Sequence, residues 1–243
     1  MRLLITRPEP DNLRTAAALR SEGHEVLLAP MLRIEAVTDA DLGAAPWAAI
    51  LITSANGVRA LAAYPRRGEL LRLPVLAVGR SSADAARDAG FADVLSADGD
   101  ANDLAQLAAQ RFAGASLPLL YLAGEDRSGE LEVPGLTVRT VVVYRAAGAS
   151  RLLPEAQAAL EQGRIDGVLH FSRRSVEAYL DCGRAVVGPA LKPVHYCLSE
   201  RAAEPLRLAG AARIAVAARP DETSLLALVT SDAMPKPGSN RLE

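Results

Sequence analysis

Lysine is nearly absent from the sequence. Lys192 and Lys236 are the only lysines among 27 basic residues, so almost every positive charge is an arginine. The formal net charge is −2, which excludes the broad positive field typical of proteins that bind nucleic acid or anionic membranes. Because a guanidinium pairs with carboxylates and phosphates in a bidentate manner, the positions of single arginines matter more than the total charge.

Cysteine and histidine are also scarce. The two cysteines, Cys182 and Cys197, have no CxxC spacing, and the three histidines are scattered, so we expect neither a disulfide framework nor a metal site. No apolar run reaches the ~18 residues of a membrane span, and the N-terminus enters a strand-like RLLIT rather than a signal sequence. We therefore expect a cytoplasmic protein. Residues 234–243 contain two prolines without apolar periodicity and predict a flexible tail.

Half of the residues are hydrophobic, and they fall into short runs separated by alanine-rich helical stretches. Nearly continuous apolar runs are typical of strands covered on both faces, as in parallel sheets. The alternation predicts an α/β protein with parallel sheets flanked by helices. The strand candidates are RLLIT, HEVLLAP, AAILITS, PVLAVG, ADVLS, PLLYLAG, DGVLHFS, VHYCLS and ARIAVA.

A strand–serine–helix pattern occurs twice, as LITSANGVRA at 51–60 and LHFSRRSVEA at 169–178. The stretches 74–108 and 193–229 repeat in the same way, at nearly the same separation along the chain. Both begin with Pro-Val, close a helix with Ala-Gly and continue through an acidic loop into another helix. A shared offset over several elements predicts two similar domains.

The first copy continues into PLLYLAGEDRSGELE and the strand-like LTVRTVVVY, whereas the second copy has only a tail after Val229. Residues 1–30 have the same strand–loop–helix–strand pattern and can supply the missing unit. We therefore predict a discontinuous domain of residues 1–30 and 148–233, and a second domain of residues 38–137. The chain would cross between them at 31–37 and 138–147. Both crossings are β-prone and are expected to pair as a two-stranded linker.

Ligands of open parallel sheets collect beyond the carboxyl ends of the strands. At those ends serine, threonine, glycine and arginine recur, and free helix amides there favour an anion. For any single serine, a helix cap worth about 1 kcal/mol and no further role is the simpler interpretation. Taken together, the positions predict a cleft between two domains for a ligand with many negative groups. The candidate binding residues are Arg7, Thr53, Ser54, Ala55, Asn56, Gly79, Arg80, Ser82, Gly124, Ser172, Arg173, Arg174, Ser199 and Arg201.

Familiar catalytic motifs are missing. No phosphate-binding loop, GxGxxG or GxSxG sequence occurs, so nucleotide binding and a serine nucleophile are unsupported. We interpret His170 as a buried structural histidine, and Glu125-Asp126 as a solvated loop. Tyr144 is the candidate catalytic residue, because it ends VVVY in a crossing strand, where its phenol could donate a proton. Simple packing at a domain edge is the alternative.

Seven segments of residues 3–230 occur in the order found in bacterial uroporphyrinogen-III synthases, and the chain resembles that family. The segments are LLITRPEPD, HEVLLAPMLRIE, LITSANGVRAL, VLAVGRSSADAARDAGF, LYLAGEDR, VVVYRA and SVEAYL. The resemblance implies two flavodoxin-like α/β domains, one discontinuous, joined by a two-stranded β-linker. This organisation agrees with the repeat.

The resemblance also implies a lyase of tetrapyrrole biosynthesis that needs no cofactor. We expect a monomer. Its substrate would be hydroxymethylbilane, handed over from hydroxymethylbilane synthase. Cyclisation to uroporphyrinogen III would invert ring D through a spiro-pyrrolenine. Tyr144 matches a family tyrosine near the cleft, and Ser82 and Ser172 match polar positions of the family. Ser199-Glu200-Arg201 replaces paired threonines, and Glu200 would repel a carboxylate.

The alternative is a binding protein that catalyses no reaction. Two similar α/β lobes joined by a hinge also describe non-catalytic binding proteins for small polyanionic ligands. Analysis of the porphyrin isomers formed from hydroxymethylbilane separates the two interpretations.

Overall fold

The computed structural model of the protein describes residues 1–43, 46–127 and 129–233. The predicted tail, 234–243, lies outside the described residues. The chain divides into two compact units. Unit 1 comprises Met1–Arg33 and the chain from Ala147 onward, and unit 2 comprises Ile34–Ala146. Both division points fall inside the stretches 31–37 and 138–147.

Unit 1 contains a five-stranded sheet in which every neighbouring pair is parallel. Its order is β11-β10-β9-β1-β2, with strands β1 (Arg2–Ile5), β2 (Glu25–Leu28), β9 (Gly167–His170), β10 (Val194–Cys197) and β11 (Ile214–Val216). Helices cover both faces, which is why the short central strand β9 is buried along its whole length. These helices are α1 (Asp11–Ser21), α6 (Pro154–Glu161), α7 (Arg173–Cys182), α8 (Val187–Leu191), α9 (Glu200–Leu208) and α10 (Glu222–Ala233).

Unit 2 is built on a six-stranded sheet of order β3-β8-β7-β4-β5-β6. The strands are β3 (Leu32–Ala36), β4 (Ala49–Ile52), β5 (Val75–Ala77), β6 (Val94–Ser96), β7 (Leu119–Gly124) and β8 (Val138–Gly148). Its helices are α2 (Ala55–Ala60), α3 (Arg67–Leu70), α4 (Arg80–Asp88) and α5 (Ala101–Arg111). Side chains alternate across a strand, so successive residues of β4 pack into two different hydrophobic clusters. Leu51 belongs to the cluster that contains Tyr121, and Ile52 belongs to the cluster against which Tyr144 packs.

The predicted crossing strands are sheet neighbours. The chain leaves unit 1 within β3 and returns to it within β8, and these two strands lie side by side in the sheet order. Strand β8 also pairs with β7 in parallel register, so the crossing strands continue the sheet of unit 2.

The α/β prediction is confirmed, and all nine strand candidates coincide with observed strands. The repeat is present in the structure as well. The series β5-α4-β6-α5 in unit 2 corresponds to β10-α9-β11-α10 in unit 1, and β4-α2 corresponds to β9-α7.

Candidate functional site

A cavity of about 460 Å³ lies in unit 2 at the carboxyl ends of β4 and β7. Four predicted site residues line this unit-2 pocket: Thr53, Ser54, Gly124 and Tyr144. Three of them occupy the ends of parallel strands, where ligands of such sheets collect. Further lining residues that the sequence prediction omitted are Tyr121, Asp126, Arg127 and Glu130.

Ser54 links the end of β4 to the start of α2. Its backbone is extended, and its hydroxyl oxygen accepts a hydrogen bond from the Asn56 amide at 3.2 Å, which confirms the predicted cap. Helix α2 lies unusually close to β7, because a Cβ at Gly57 would be only 2.9 Å from the Leu122 carbonyl oxygen. The position of Ser54 at the pocket therefore depends on tight packing behind it.

The Tyr144 ring lies across the end of β7. Gly124 is its partner in the β7–β8 register, and a Cβ at Gly124 would be 2.6 Å from Cζ and 2.8 Å from the phenol oxygen of Tyr144. Burial raises the pKa of Tyr144, a hydrogen bond with Ser54 lowers it, and the nearby Tyr121 and Asp126 raise it again. The net pKa is above its usual value, so the phenol is protonated at neutral pH and can donate a hydrogen bond.

Tyr121 carries a second phenol at the unit-2 pocket. Its hydroxyl is 2.8 Å from the Thr53 hydroxyl, although the residue is only 4% exposed. Tyr121 is absent from the residues predicted for the site, because a tyrosine inside the apolar run PLLYLAG has the pattern of a core residue. No local signal in the sequence marks its contact with Thr53, because that contact depends on the pairing of β4 with the distant strand β7.

Three charged residues follow β7 at the pocket. Arg127 forms an ion pair with Glu130, and hydrogen bonds from Arg127 and Thr140 hold the pKa of Glu130 below its usual value. Asp126 and Glu125 are exposed, as expected of a solvated loop, but Asp126 also lines the pocket. The pocket thus presents one guanidinium and two carboxylates.

Other predicted residues of unit 2 lie at two strand–helix turns. Ala55 is buried and Asn56 is half-buried at the start of α2. Gly79 is the residue before α4, and the exposed Arg80 lies 3.5 Å from a carboxylate oxygen of Asp98. Ser82 is 7% exposed on the buried side of α4.

In unit 1, Arg7 is held by groups of its own unit. Its guanidinium donates to Glu222 and Thr15, each at 3.0 Å, and lies 4.3 Å from the centre of the Phe171 ring. Burial opposes the ionisation of Glu222, but hydrogen bonds and charge from Thr15 and Arg7 outweigh it and lower the pKa of that carboxyl. The Arg7 guanidinium is therefore engaged by side chains of unit 1 in the structure.

Ser172 and Ser199 cap helices, as predicted. Ser172 accepts from the Ser175 amide at 3.1 Å, and Ser199 accepts from the Ala202 amide at 3.3 Å. These caps begin α7 and α9 at equivalent turns of the sheet of unit 1.

The predicted arginines of unit 1 differ in their surroundings. Arg173 is bound by Glu177 and Glu204, and Arg174 is half-buried. Arg201 is exposed and has no ion pair among the residues that the structure describes. The neighbouring Glu200, expected to repel a carboxylate, is paired with Arg207.

His170 is a buried structural residue, as predicted, and belongs to a hydrogen-bonded chain. The Thr6 hydroxyl donates to the Leu169 carbonyl and lies 3.3 Å from Nδ1 of His170. Nε2 of His170 lies 3.1 Å from Nδ1 of His195. Burial lowers the pKa of His195 to about 4 and holds that of His170 well below its usual value, so both rings are neutral near pH 7.

Within residues 1–43, 46–127 and 129–233, no three histidine, cysteine or acidic side chains are grouped as a metal site would require. None of the helices in these ranges combines the length and the apolar character needed to cross a membrane.

Comparison with known proteins gives a consistent result. The family model for uroporphyrinogen-III synthase HemD matches residues 14–227. A crystal structure of uroporphyrinogen-III synthetase from Helicobacter pylori 26695 aligns with 95% of this chain and 99% of that chain, at 18% identity and a TM-score of 0.65. A mutant uroporphyrinogen III synthase from the extremely thermophilic bacterium Thermus thermophilus aligns with 95% and 98%, at 18% identity and a TM-score of 0.45. No curated protein matches in sequence.

Proposed function

Because the chain belongs to the uroporphyrinogen-III synthase HemD family, a family of hydro-lyases, we propose that it converts hydroxymethylbilane to uroporphyrinogen III. Ring D of the linear tetrapyrrole is inverted as the macrocycle closes. The observation that carries the assignment of a site is the unit-2 pocket, where the half-buried Tyr144 phenol meets the strand-end residues Thr53, Ser54 and Gly124.

Tyr144 assists the first step. Its phenol donates a hydrogen bond and then a proton to the departing hydroxyl of ring A, which leaves as water. The pyrrole nitrogen supplies the electron pair that forms the azafulvene. The raised pKa of Tyr144 keeps the proton on the phenol until the hydroxyl departs.

Ser54 orients this donor. Its oxygen accepts from the Asn56 amide, so its own hydrogen is left to point at the phenol oxygen of Tyr144. A hydrogen bond donated to the phenol oxygen stabilises the phenolate that forms when the proton leaves, and directs the phenol hydrogen towards the substrate.

The later steps depend more on how the protein holds the linear tetrapyrrole than on strongly acidic or basic groups. The substituted carbon of ring D attacks the azafulvene to form the spiro-pyrrolenine, which fragments and recloses at the free carbon. Unassisted closure gives the uninverted isomer I, so the protein must fix the geometry that leads to inversion. In unit 1, the capped turns at Ser172 and Ser199 and the exposed Arg201 are proposed partners for substrate carboxylates.

Product analysis tests the proposal. Freshly prepared hydroxymethylbilane is incubated with the protein, the product is oxidised, and the porphyrin isomers are separated and quantified against a protein-free control. We expect isomer III to predominate at a rate above the unassisted closure. Formation of isomer I alone, at the rate of the protein-free control, would exclude the synthase activity and favour a binding protein.

A further inference from the structure

Two consecutive residues at the end of β4 each contact one tyrosine of the unit-2 pocket. The Thr53 hydroxyl is 2.8 Å from the Tyr121 hydroxyl of β7, and Ser54 hydrogen-bonds Tyr144 of β8. Thr53 and Ser54 directly follow Ile52, the last residue of β4, and both phenols line the same pocket, with Tyr121 near enough to raise the pKa of Tyr144. The short segment Thr53-Ser54 gives the two phenols a further, hydrogen-bonded connection.

The Tyr121 side of this arrangement is the more rigid. Its ring is part of a buried cluster that includes Leu51 and Leu119, and only 4% of the residue is exposed. Thr53 has a branched side chain with few allowed rotamers, so a hydrogen bond to a fixed phenol holds it in one of them. Tyr144 is only half-buried and lacks comparable enclosure.

We propose that Tyr121 is a positioning residue for Tyr144. Its hydrogen bond fixes Thr53, which fixes the turn that carries Ser54, and the Ser54 hydroxyl in turn aims the Tyr144 phenol. The inference rests on the proposed function for its kinetic consequence, but the structural link between the two tyrosines does not require any activity. It also gives Tyr121, which touches no reacting atom in this scheme, a role beyond filling the core.

The kinetic test removes the hydrogen bond while preserving the packing. Tyr121→Phe keeps the ring, and Thr53→Val keeps the side-chain shape without the hydroxyl. We expect each to lower kcat on the order of tenfold, with KM nearly unchanged, since misplacement of a catalytic group acts on the chemical step. The share of isomer I should rise as unassisted closure competes. Thr53→Ser retains the hydroxyl and should restore most of the rate.

A second readout is independent of catalysis. The chain has five tyrosines, and ring-labelled tyrosine gives an NMR signal for each. Because Tyr121 itself acts on Tyr144, the deciding variant is Thr53→Val, which keeps the Tyr121 ring and hydroxyl. In Thr53→Val we expect the Tyr144 signal to shift or broaden, while those of Tyr179 and Tyr196 in unit 1 stay in place. Tyr64→Phe, outside the pocket, is the matched control and should leave Tyr144 unchanged.

The outcomes separate the two proposals. A Tyr144 signal that is unmoved in Thr53→Val, or losses in kcat that add in the Tyr121→Phe/Thr53→Val double variant, would overturn the positioning role. If the wild-type protein forms no isomer III, the proposed function fails and the NMR comparison still decides the link. If Tyr121→Phe does not fold, the Thr53→Val and Thr53→Ser pair provides the same test.

Discussion

Replacement of Gly124 by alanine is the sharpest perturbation of the proposed site. The new Cβ would stand 2.6 Å from Cζ and 2.8 Å from the hydroxyl oxygen of Tyr144, whereas ordinary van der Waals contacts begin at 3.4 Å. The Tyr144 ring must therefore withdraw by close to 1 Å. Because Tyr144 is half-buried, it can move outward, and the stability cost should lie near the lower end of the roughly 1–3 kcal/mol typical of overpacking.

The effect on the reaction should be larger than the effect on stability. A misplacement of about 1 Å at a catalytic group can cost on the order of 10²-fold in rate. We therefore expect Gly124→Ala to form isomer III between about tenfold and 10²-fold more slowly. Initial rates with isomer separation measure this loss, and thermal unfolding verifies that the fold is retained. Gly68→Ala is the matched control, because a Cβ at Gly68 of α3 has nothing within 4 Å.

A double variant shows whether the loss passes through the phenol. In the Tyr144→Phe background the hydroxyl is already absent, so Gly124→Ala should cost little further rate. The reasoning is refuted if Gly124→Ala has the wild-type rate. It is also refuted if Gly124→Ala lowers the rate of isomer III formation by the same factor with and without the Tyr144 hydroxyl.

Three further predictions concern pH, substrate carboxylates and the cap. The folded state holds His170 and His195 neutral, and unfolded histidine titrates near 6.5, so the unfolded state binds more protons below that pH and stability falls as the pH drops. Between pH 6.5 and pH 5 we expect the free energy of urea unfolding to fall by about 1.6 kcal/mol from His195, with a further fall from His170, and a flat profile would contradict this. Arg201→Ala should raise KM severalfold in steady-state assays, because an exposed charge contact is worth about 1 kcal/mol. An unchanged KM, or an equal rise in the control Arg184→Ala, would show that Arg201 does not bind the substrate. Ser54→Ala should cost about 1 kcal/mol in unfolding free energy as a lost cap, and should also slow the formation of isomer III; a rate loss without any stability loss would show that the cap is unimportant.

Local chemistry explains why much of the fold could be predicted from the sequence. Strands covered on both faces leave continuous apolar runs, and a serine at the following turn leaves the signature of a cap. Ser54, Ser172 and Ser199 were identified in this way, and each accepts a hydrogen bond from an amide of the helix it begins.

Long-range partnerships could not be predicted in the same way. Arg7 had the position of a ligand-binding arginine, but its carboxylate partner Glu222 is 215 residues away in sequence, and no local pattern connects them. Ser82 lies at a suitable turn, yet the helix register buries it. Tyr121 is placed at the pocket by a pairing between strands that are distant in sequence, so its apolar neighbours concealed its polar contact.

The comparison of Tyr144→Phe with the wild-type protein tests the central claim most directly. Both proteins are given fresh hydroxymethylbilane, and the rate of isomer III formation is followed beside the Tyr64→Phe control. Loss of the general acid should slow the reaction on the order of 10²-fold without abolishing it, while thermal unfolding stays close to that of the wild type. Full activity in Tyr144→Phe would contradict the claim that this phenol, at this pocket, assists the loss of the hydroxyl.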